Sequence, residues 1–468
     1  MQVRLKDRYL RAKNKLCVAS RTKRHLRDEN RHLRKRCAAL EDKVARLERI
    51  TQPIKVAHHT YPAQVIAIAV FVVIHGGSLR LAARVAKYYA DAMGWSYNRP
   101  GASSVRIWTQ RCGLHVLGAA TALTGKMVGI VDESIQIGQE KLILLLGVES
   151  SRLTSRCAPL TASDVHVLGV EVQSSWTGEQ VKDFVERMRQ RCSQLDLCYI
   201  ISDRGTSLLS AIKQLGVDWV SDCSHEMMNI VKTLFKDRAD FQALRSDIGK
   251  LRKSWLLTRL HILLPPSMRS KDRFLRLFDI VRWVEFIEQY RSQFSCAIQH
   301  KLSFIHTHKA VVQQMKQVRD LLDLTARQLK CTGLHPQSLK QWQAKIAAYK
   351  SEQTQWTAAA EEVIERITQY FLRHDTLIER HGQLLCCSDI IESTFGHYKN
   401  KGGMKVISAD VLQIPLYNQS ITPDFVVQAL RDKREEDLME WQSEHICHNF
   451  YGHRKALLKK LKNGESIN

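Results

Sequence analysis

Residues 197–203 read Leu-Cys-Tyr-Ile-Ile-Ser-Asp, and Arg204-Gly205 follow them. A short apolar run closed by a turn signal has the pattern of a strand buried on both faces of a parallel sheet. An acid at the C-terminal end of such a strand stands where open α/β sheets carry their chemistry. Asp203 is therefore the point from which the rest of the chain is read.

Upstream, Val128 to Val131 reads as a buried strand running into Asp132-Glu133, with further strands at Leu142 to Val148 and Val165 to Val172. Gln180 to Arg191 places Val181, Phe184, Val185 and Met188 on one helical face. After residues 197–203 come a helix, Thr206 to Leu215, and a short strand, Trp219 to Ser221. Short links let the first three strands pair antiparallel, and the helical crossover returns the fourth parallel to the first. Asp132 and Asp203 then stand side by side. Two adjacent carboxylates repel each other unless a hard divalent cation binds between them. Glu133 alternates to the opposite face.

The chain has 468 residues, 44% of them hydrophobic, and a net charge of +24. That length and apolar content support several packed domains. The charge calls for a polyanionic partner, of which nucleic acid is the usual one. Twelve cysteines occur without a CxxC pair, which argues against zinc fingers and a disulfide framework and for reduced thiols inside a cell. Val65 to Ile74 is too short to span a bilayer and the first ten residues lack a signal core, so no membrane association is expected.

Five segments follow. Residues 1–51 are a basic coiled coil for dimerisation and phosphate contact. Leu26, Leu33, Leu40 and Leu47 recur every seven residues, with Asn30, Cys37 and Val44 on the alternate seam. Leucine at d with one Asn at a is the device of a parallel two-stranded coil. Residues 52–122 form a helix-turn-helix unit. Its helices are Ala63 to Ile74, Leu79 to Met93, and Ser103 to about Cys112. Arg106, Gln110 and Arg111 on the third are placed to read base edges, and Arg80, behind the Ser78 cap, to meet a phosphate. Residues 123–235 are the first part of an α/β core. Residues 236–380 are a helical insertion whose tryptophans (Trp255, Trp283, Trp342, Trp356) give it a small core of its own. Residues 381–468 complete the α/β core with basic C-terminal helices and a helix that Ser388 or Asp389 caps. That helix carries Glu392 in its first turn and Lys399 two turns later on the same face, a pairing suited to a metal and a neighbouring phosphate. His445, Cys447, His448 and His453 are spaced unlike a closed zinc site.

The order of Asp132, Asp203 and Glu392 on these elements resembles the DDE transposases, whose catalytic domain has a ribonuclease H-like fold. Asp222-Cys223-Ser224-His225 is similar to the [C/D]xxH motif that follows the second aspartate in several transposase groups. The spacing from Glu392 to Lys399 matches the Glu-Lys part of a signature helix in bacterial insertion-sequence enzymes. The longer form of that signature has Tyr and Arg where this chain has Leu385 and Ser388. A helical insertion before the catalytic Glu is also a family feature.

The resemblance implies an α/β multidomain chain in which a ribonuclease H-like mixed sheet is interrupted by the helical insertion. It implies cleavage at transposon ends and transfer of the freed 3′-hydroxyl to target DNA. The cofactors would be two Mg²⁺ (or Mn²⁺) ions, about 3.5–4 Å apart, with Asp132 bridging both and Asp203 and Glu392 each favouring one. His225 would position the scissile strand or orient a ligand. Asp389 competes with Glu392, and the Lys399 spacing favours Glu392. Arg204 and Lys399 join Arg80, Arg106, Gln110 and Arg111 as DNA contacts. Double-stranded DNA and further copies of the chain, as a dimer or higher oligomer, are the expected partners, in the nucleoid-bearing cytoplasm if the host is bacterial. A non-catalytic DNA-binding derivative of a transposase and a structure-selective nuclease on the same fold are the alternatives.

Overall fold

The computed structural model describes residues 52–137, 140–153, 156–267, 276–400 and 407–447, together with 29–44 and scattered positions near both ends. Leu47, Arg4 to Arg24 apart from isolated positions, His448 and His453 lie outside the described residues.

Helix α1 (residues 29–44) is exposed along its whole length. Helices α2 (Ala63–Ile74), α3 (Leu79–Ala92) and α4 (Ala102–Ala119) follow. Helix α2 is apolar all round, so it lies at the centre of a helical cluster, not at its surface. Its one buried amide, Gln64, accepts from the Ile54 N–H at 3.0 Å and donates to the Gln52 carbonyl at 2.7 Å. Ser78 caps α3 through the Leu81 N–H.

The sheet comprises β1 (Gly125–Ile137), β2 (Glu140–Glu149), β3 (His166–Gln173), β4 (Leu195–Ser202) and β5 (Asp218–Ser221), in the order β3-β2-β1-β4-β5. The β1–β2 and β2–β3 pairs are antiparallel, and the β1–β4 and β4–β5 pairs are parallel. Helices α5 (Gly178–Arg191) and α6 (Thr206–Leu215) are the crossovers that make the last two pairings parallel. The chain is thus an α/β protein with a mixed sheet. Leu142, Ile143, Leu144, Leu145 and Leu146 of β2 are each at most 1% exposed. Such a run is legible as a strand covered on both faces, and truncating Leu144 to Ala should cost roughly 2–5 kcal/mol.

The two faces have different covers. Val131, Ile143, Leu145, Leu168 and Ile200 pack with Val181, Phe184, Leu208 and Ala211 of α5 and α6. Val128, Ile130, Tyr199 and Ile201 face a larger, continuous core built with the helices that follow. These are α7 (Cys223–Phe235), α8 (Ala239–Trp255), α9 (Arg276–Gln289), the short α10 (Cys296–Lys301) and α11 (Phe304–Thr307), α12 (Lys309–Thr332), α13 (Ser338–Ser351), α14 (Ala358–Arg373), α15 (Asp375–His381) and α16 (Asp389–Lys399). Trp255, Trp283 and Trp342 belong to this shared core. The expected separate core for the insertion is therefore corrected: its apolar faces close directly over the sheet.

Helices α17 (Pro423–Asp432) and α18 (Glu435–His445) end the described chain. Val426, Ala429 and Leu430 of α17 pack into the cluster of α2, α3 and α4, so the N-terminal helical unit is completed from the C-terminal end. Helix α4 also runs further than expected, through Gly113. A Cβ there would fall 1.7 Å from the Leu412 carbonyl oxygen, so only glycine lets residues 409–418 pack against the helix. No helix among the described residues is long and apolar enough to cross a membrane.

Candidate functional site

Register places the first two acids. Ile130 of β1 pairs with Ile201 of β4 in parallel, and continuing that offset by two residues sets Asp132 opposite Asp203. Alternation fixes the face. Ile130 and Ile201 point into the larger core, so Asp132 and Asp203 share that face with α7 and α16. Glu133 points the other way and accepts a hydrogen bond from the Ser207 hydroxyl of α6. One expectation is corrected: Asp132 does not end its strand. Strand β1 continues to Ile137 against β2 while β4 stops at Ser202, which leaves Asp132 partly buried at the place where the parallel pairing ends.

Asp203 begins the turn into α6, and its Oδ1 accepts from the Gly205 N–H at 2.8 Å. A side chain at 205 would put its Cβ 2.9 Å from that oxygen. Glycine keeps the turn tight against the carboxylate.

Asp222 caps α7. Its Oδ2 accepts from the His225 backbone N–H at 2.8 Å and from the His225 Nδ1 at 2.7 Å. Its Oδ1 accepts from the Ser388 N–H at 2.8 Å. Nearby, the Leu385 N–H donates to the Tyr199 hydroxyl at 2.7 Å and the Cys223 N–H to the Cys386 carbonyl at 2.8 Å. These bonds anchor the buried run Leu384 to Ser388 beside β4 and α7. They deliver α16, which packs on β1, across the insertion. Ser388 stands at the N-cap position without a side-chain capping bond.

Within α16 the two competing acids separate. Asp389 is tied to Lys330 and accepts from the Ser224 hydroxyl at 2.7 Å. Glu392 is half exposed, with Oε1 3.7 Å from His225 Nε2. The Asp222 hydrogen bond, aided by the charges of Asp222, Glu392 and Asp203, lifts His225 to about 9, so it is an imidazolium at neutral pH with a donor turned toward Glu392. Burial, then the charge of Asp203, lifts Asp132 to about 7, with Glu392 adding to the rise. Burial also raises Glu392. Asp132, Asp203, Glu392 and His225 thus form one electrostatic group on one face of the sheet.

Three carboxylates against one imidazolium leave that group short of positive charge. All-oxygen donors with excess negative charge suit a hard divalent cation. A tighter grouping lies next to it: among the described residues, Asp222, Cys223 and Cys387 bring ligand atoms within 4.8 Å of one another. The three acids of the triad are not packed that closely. Both Asp222 oxygens are already hydrogen-bonded, however, and thiol–thiol hydrogen bonding with burial holds Cys223 and Cys387 protonated, well above the ordinary thiol range. A protonated buried thiol is a poor metal ligand, so the oxygen-rich group is the better cation site.

The expected DNA contacts divide. Arg80 is exposed in the first turn of α3. Lys399 is exposed in the last turn of α16. Arg106 is exposed, 3.8 Å from Asp410. Arg204 is exposed and paired with Glu226, which Arg373 also meets at 3.1 Å. Gln110 and Arg111 are corrected. Both are buried, at 5% and 6% exposure. Gln110 donates to Asp410 at 3.0 Å. Arg111 donates to the Leu430 and Lys433 carbonyls at 2.6 and 2.7 Å and lies 3.2 Å from His59 Nε2. They join α4 to the C-terminal helices and are not turned toward a base edge.

Two features went beyond the sequence reading. Asp222, noted there only as the first residue of the [C/D]xxH-like motif, both orients His225 and fixes the start of α16. A groove of about 540 Å³ beside α7 is lined by Arg204, Lys232, Lys236, Arg366 and Arg373, with Glu226 and Asp237 among them. Those cations are scattered over 170 residues, and only the fold gathers them. The chain matches no protein-family model and no curated protein.

Proposed function

We propose that this chain is a DNA transposase of the DDE kind, with a ribonuclease H-like core that cuts the ends of a DNA element and joins them to a target. The observation that carries this reading is the convergence of Asp132, Asp203 and Glu392 on one face of a β3-β2-β1-β4-β5 sheet, where the parallel pairing of β1 with β4 stops. Glu392 reaches that face across an insertion of some 150 residues. The +24 charge and the cationic groove beside α7 fit a polyanionic substrate.

Asp132, Asp203 and Glu392 would hold the divalent ions, which when bound activate the attacking oxygen and stabilise the leaving one. His225, charged and held by Asp222, donates a hydrogen bond to a phosphate oxygen at the acidic cluster. The Arg204–Lys232–Lys236 groove carries the flanking phosphodiester backbone toward it, as sequence-independent cations do. Phosphodiester exchange by water or a 3′-hydroxyl needs no nucleophilic side chain.

The test uses the purified chain, a labelled duplex from the DNA flanking its gene, and Mg²⁺ or Mn²⁺. Nicked and then joined products are expected, and both should vanish in Asp203→Asn while binding persists. Cleavage without joining would leave a nuclease, and binding without either would leave a DNA-binding derivative. Undiminished cleavage by Asp203→Asn would remove the triad.

A further inference from the structure

Helix α1 presents an apolar stripe to solvent. Leu33, Leu40 and Val44 of α1, and Leu26 ahead of it, are each more than half exposed, and every residue of 29–44 is exposed. A stripe of that size on a monomer marks a contact surface. Its register says which kind. With Asn30, Cys37 and Val44 at a and Leu26, Leu33 and Leu40 at d, the flanking e positions are Arg34 and Glu41 and the g positions are Glu29, Arg36 and Lys43. In a parallel coil each g residue meets the e′ residue five positions later on the other helix. Two copies in register pair Glu29 with Arg34 and Arg36 with Glu41, opposite charges both times. The sequence continues the rule with Lys43 and Glu48.

We infer that α1 is one half of a parallel, in-register coiled coil whose partner is a second copy of this chain. The Asn30 amides of the two copies face each other across the seam, which satisfies a polar group that would otherwise be buried alone. Cys37 meets the same residue of the second copy one heptad later. An antiparallel pair would set a against d′ and place Cys37 against leucine. The inference stands on the heptad and its charges, and it holds whether or not the chain cuts DNA.

Cys37 is a built-in reporter. In full-length chain carrying Cys157→Ser and Cys296→Ser, which removes two other exposed thiols, diamide should produce a covalent dimer. The diazene takes up the two electrons and two protons released by the thiol pair. Adding Cys37→Ser should abolish the cross-link and leave the sedimentation mass of a dimer. Arg36→Glu should shift the chain toward monomer, and adding Glu41→Arg should restore the dimer. A dimer that never cross-links through Cys37 would overturn the parallel register. A chain that sediments as a monomer, unaffected by the charge changes, would overturn the pairing altogether.

Discussion

The acidic cluster and helix α4 both present the polar side chains that a sequence reader notices, and the fold treats them in opposite ways. On α4, Gln110 and Arg111 are covered by the segment around Asp410 and by the end of α17, and their hydrogen bonds hold those pieces together. At the cluster, the His225 imidazolium does not offset the three acids, and burial together with the charge of Asp203 raises Asp132 to about 7. A polar residue that stabilises its surroundings is structural, whereas one kept at a cost to them needs another explanation, and a bound ligand supplies it.

The largest effect that could break this contrast lies at the cluster. Asp203→Asn and Asp132→Asn should each lower metal-dependent DNA cleavage by more than the roughly 10–100-fold that even a second-shell change costs. A gel assay of nicked product reads this, and normal cleavage ends the reading. Asp132→Asn should meanwhile stabilise the metal-free protein. Asp132 has its folded value raised above 3.8, so its contribution is favourable at low pH and is lost as pH rises from about 4 through about 7. Thermal melts at pH 8 should show the variant more stable by a few kcal/mol, and Mg²⁺ should raise the melting temperature of the parent far more than that of the variant.

Arg111→Ala tests the other side. It removes donors from the Leu430 and Lys433 carbonyls, at about 1–3 kcal/mol for each buried group left unpaired. The melting temperature should fall, and sequence preference in DNA binding should stay as it was. An unchanged melt with altered base preference would return α4 to its expected reading role. His225→Asn sharpens the site without dismantling it: cleavage should fall about 10–100-fold while the fold, assayed by circular dichroism, persists. Smallest of all, Lys232→Ala with Lys236→Ala should weaken DNA binding alike for all sequences and lower the salt slope by about one per cation removed. An unchanged slope would take the groove out of the DNA path.

Sequence legibility follows the same divide. The strands, the crossover helices and the pairing of Asp132 with Asp203 were readable because period, register and handedness are local rules. Glu392 stood out on its helix by its spacing from Lys399, but its link to Asp132 and Asp203 came only by resemblance, since nothing local says that Leu384 to Ser388 folds back onto Tyr199 and Asp222. The roles of Gln110 and Arg111 were illegible for a matching reason. Their covers lie some 300 residues downstream, and a helix seen alone does not reveal which of its faces will be covered. The shared core of the insertion was hidden likewise, because amphipathic helices declare an apolar face but not its partner.

The hydrogen bond from the Ser388 N–H to Asp222 joins positions 166 residues apart. A growing chain can form the sheet and α7 long before Ser388 exists, and closing so distant a contact is among the slower steps of folding. Glu392 therefore reaches the acids on the sheet only after the whole insertion has been synthesised and packed. A truncated or half-made chain would hold Asp132 and Asp203 without their third partner. The order of synthesis thus sets the order of assembly, and the three acids come together last.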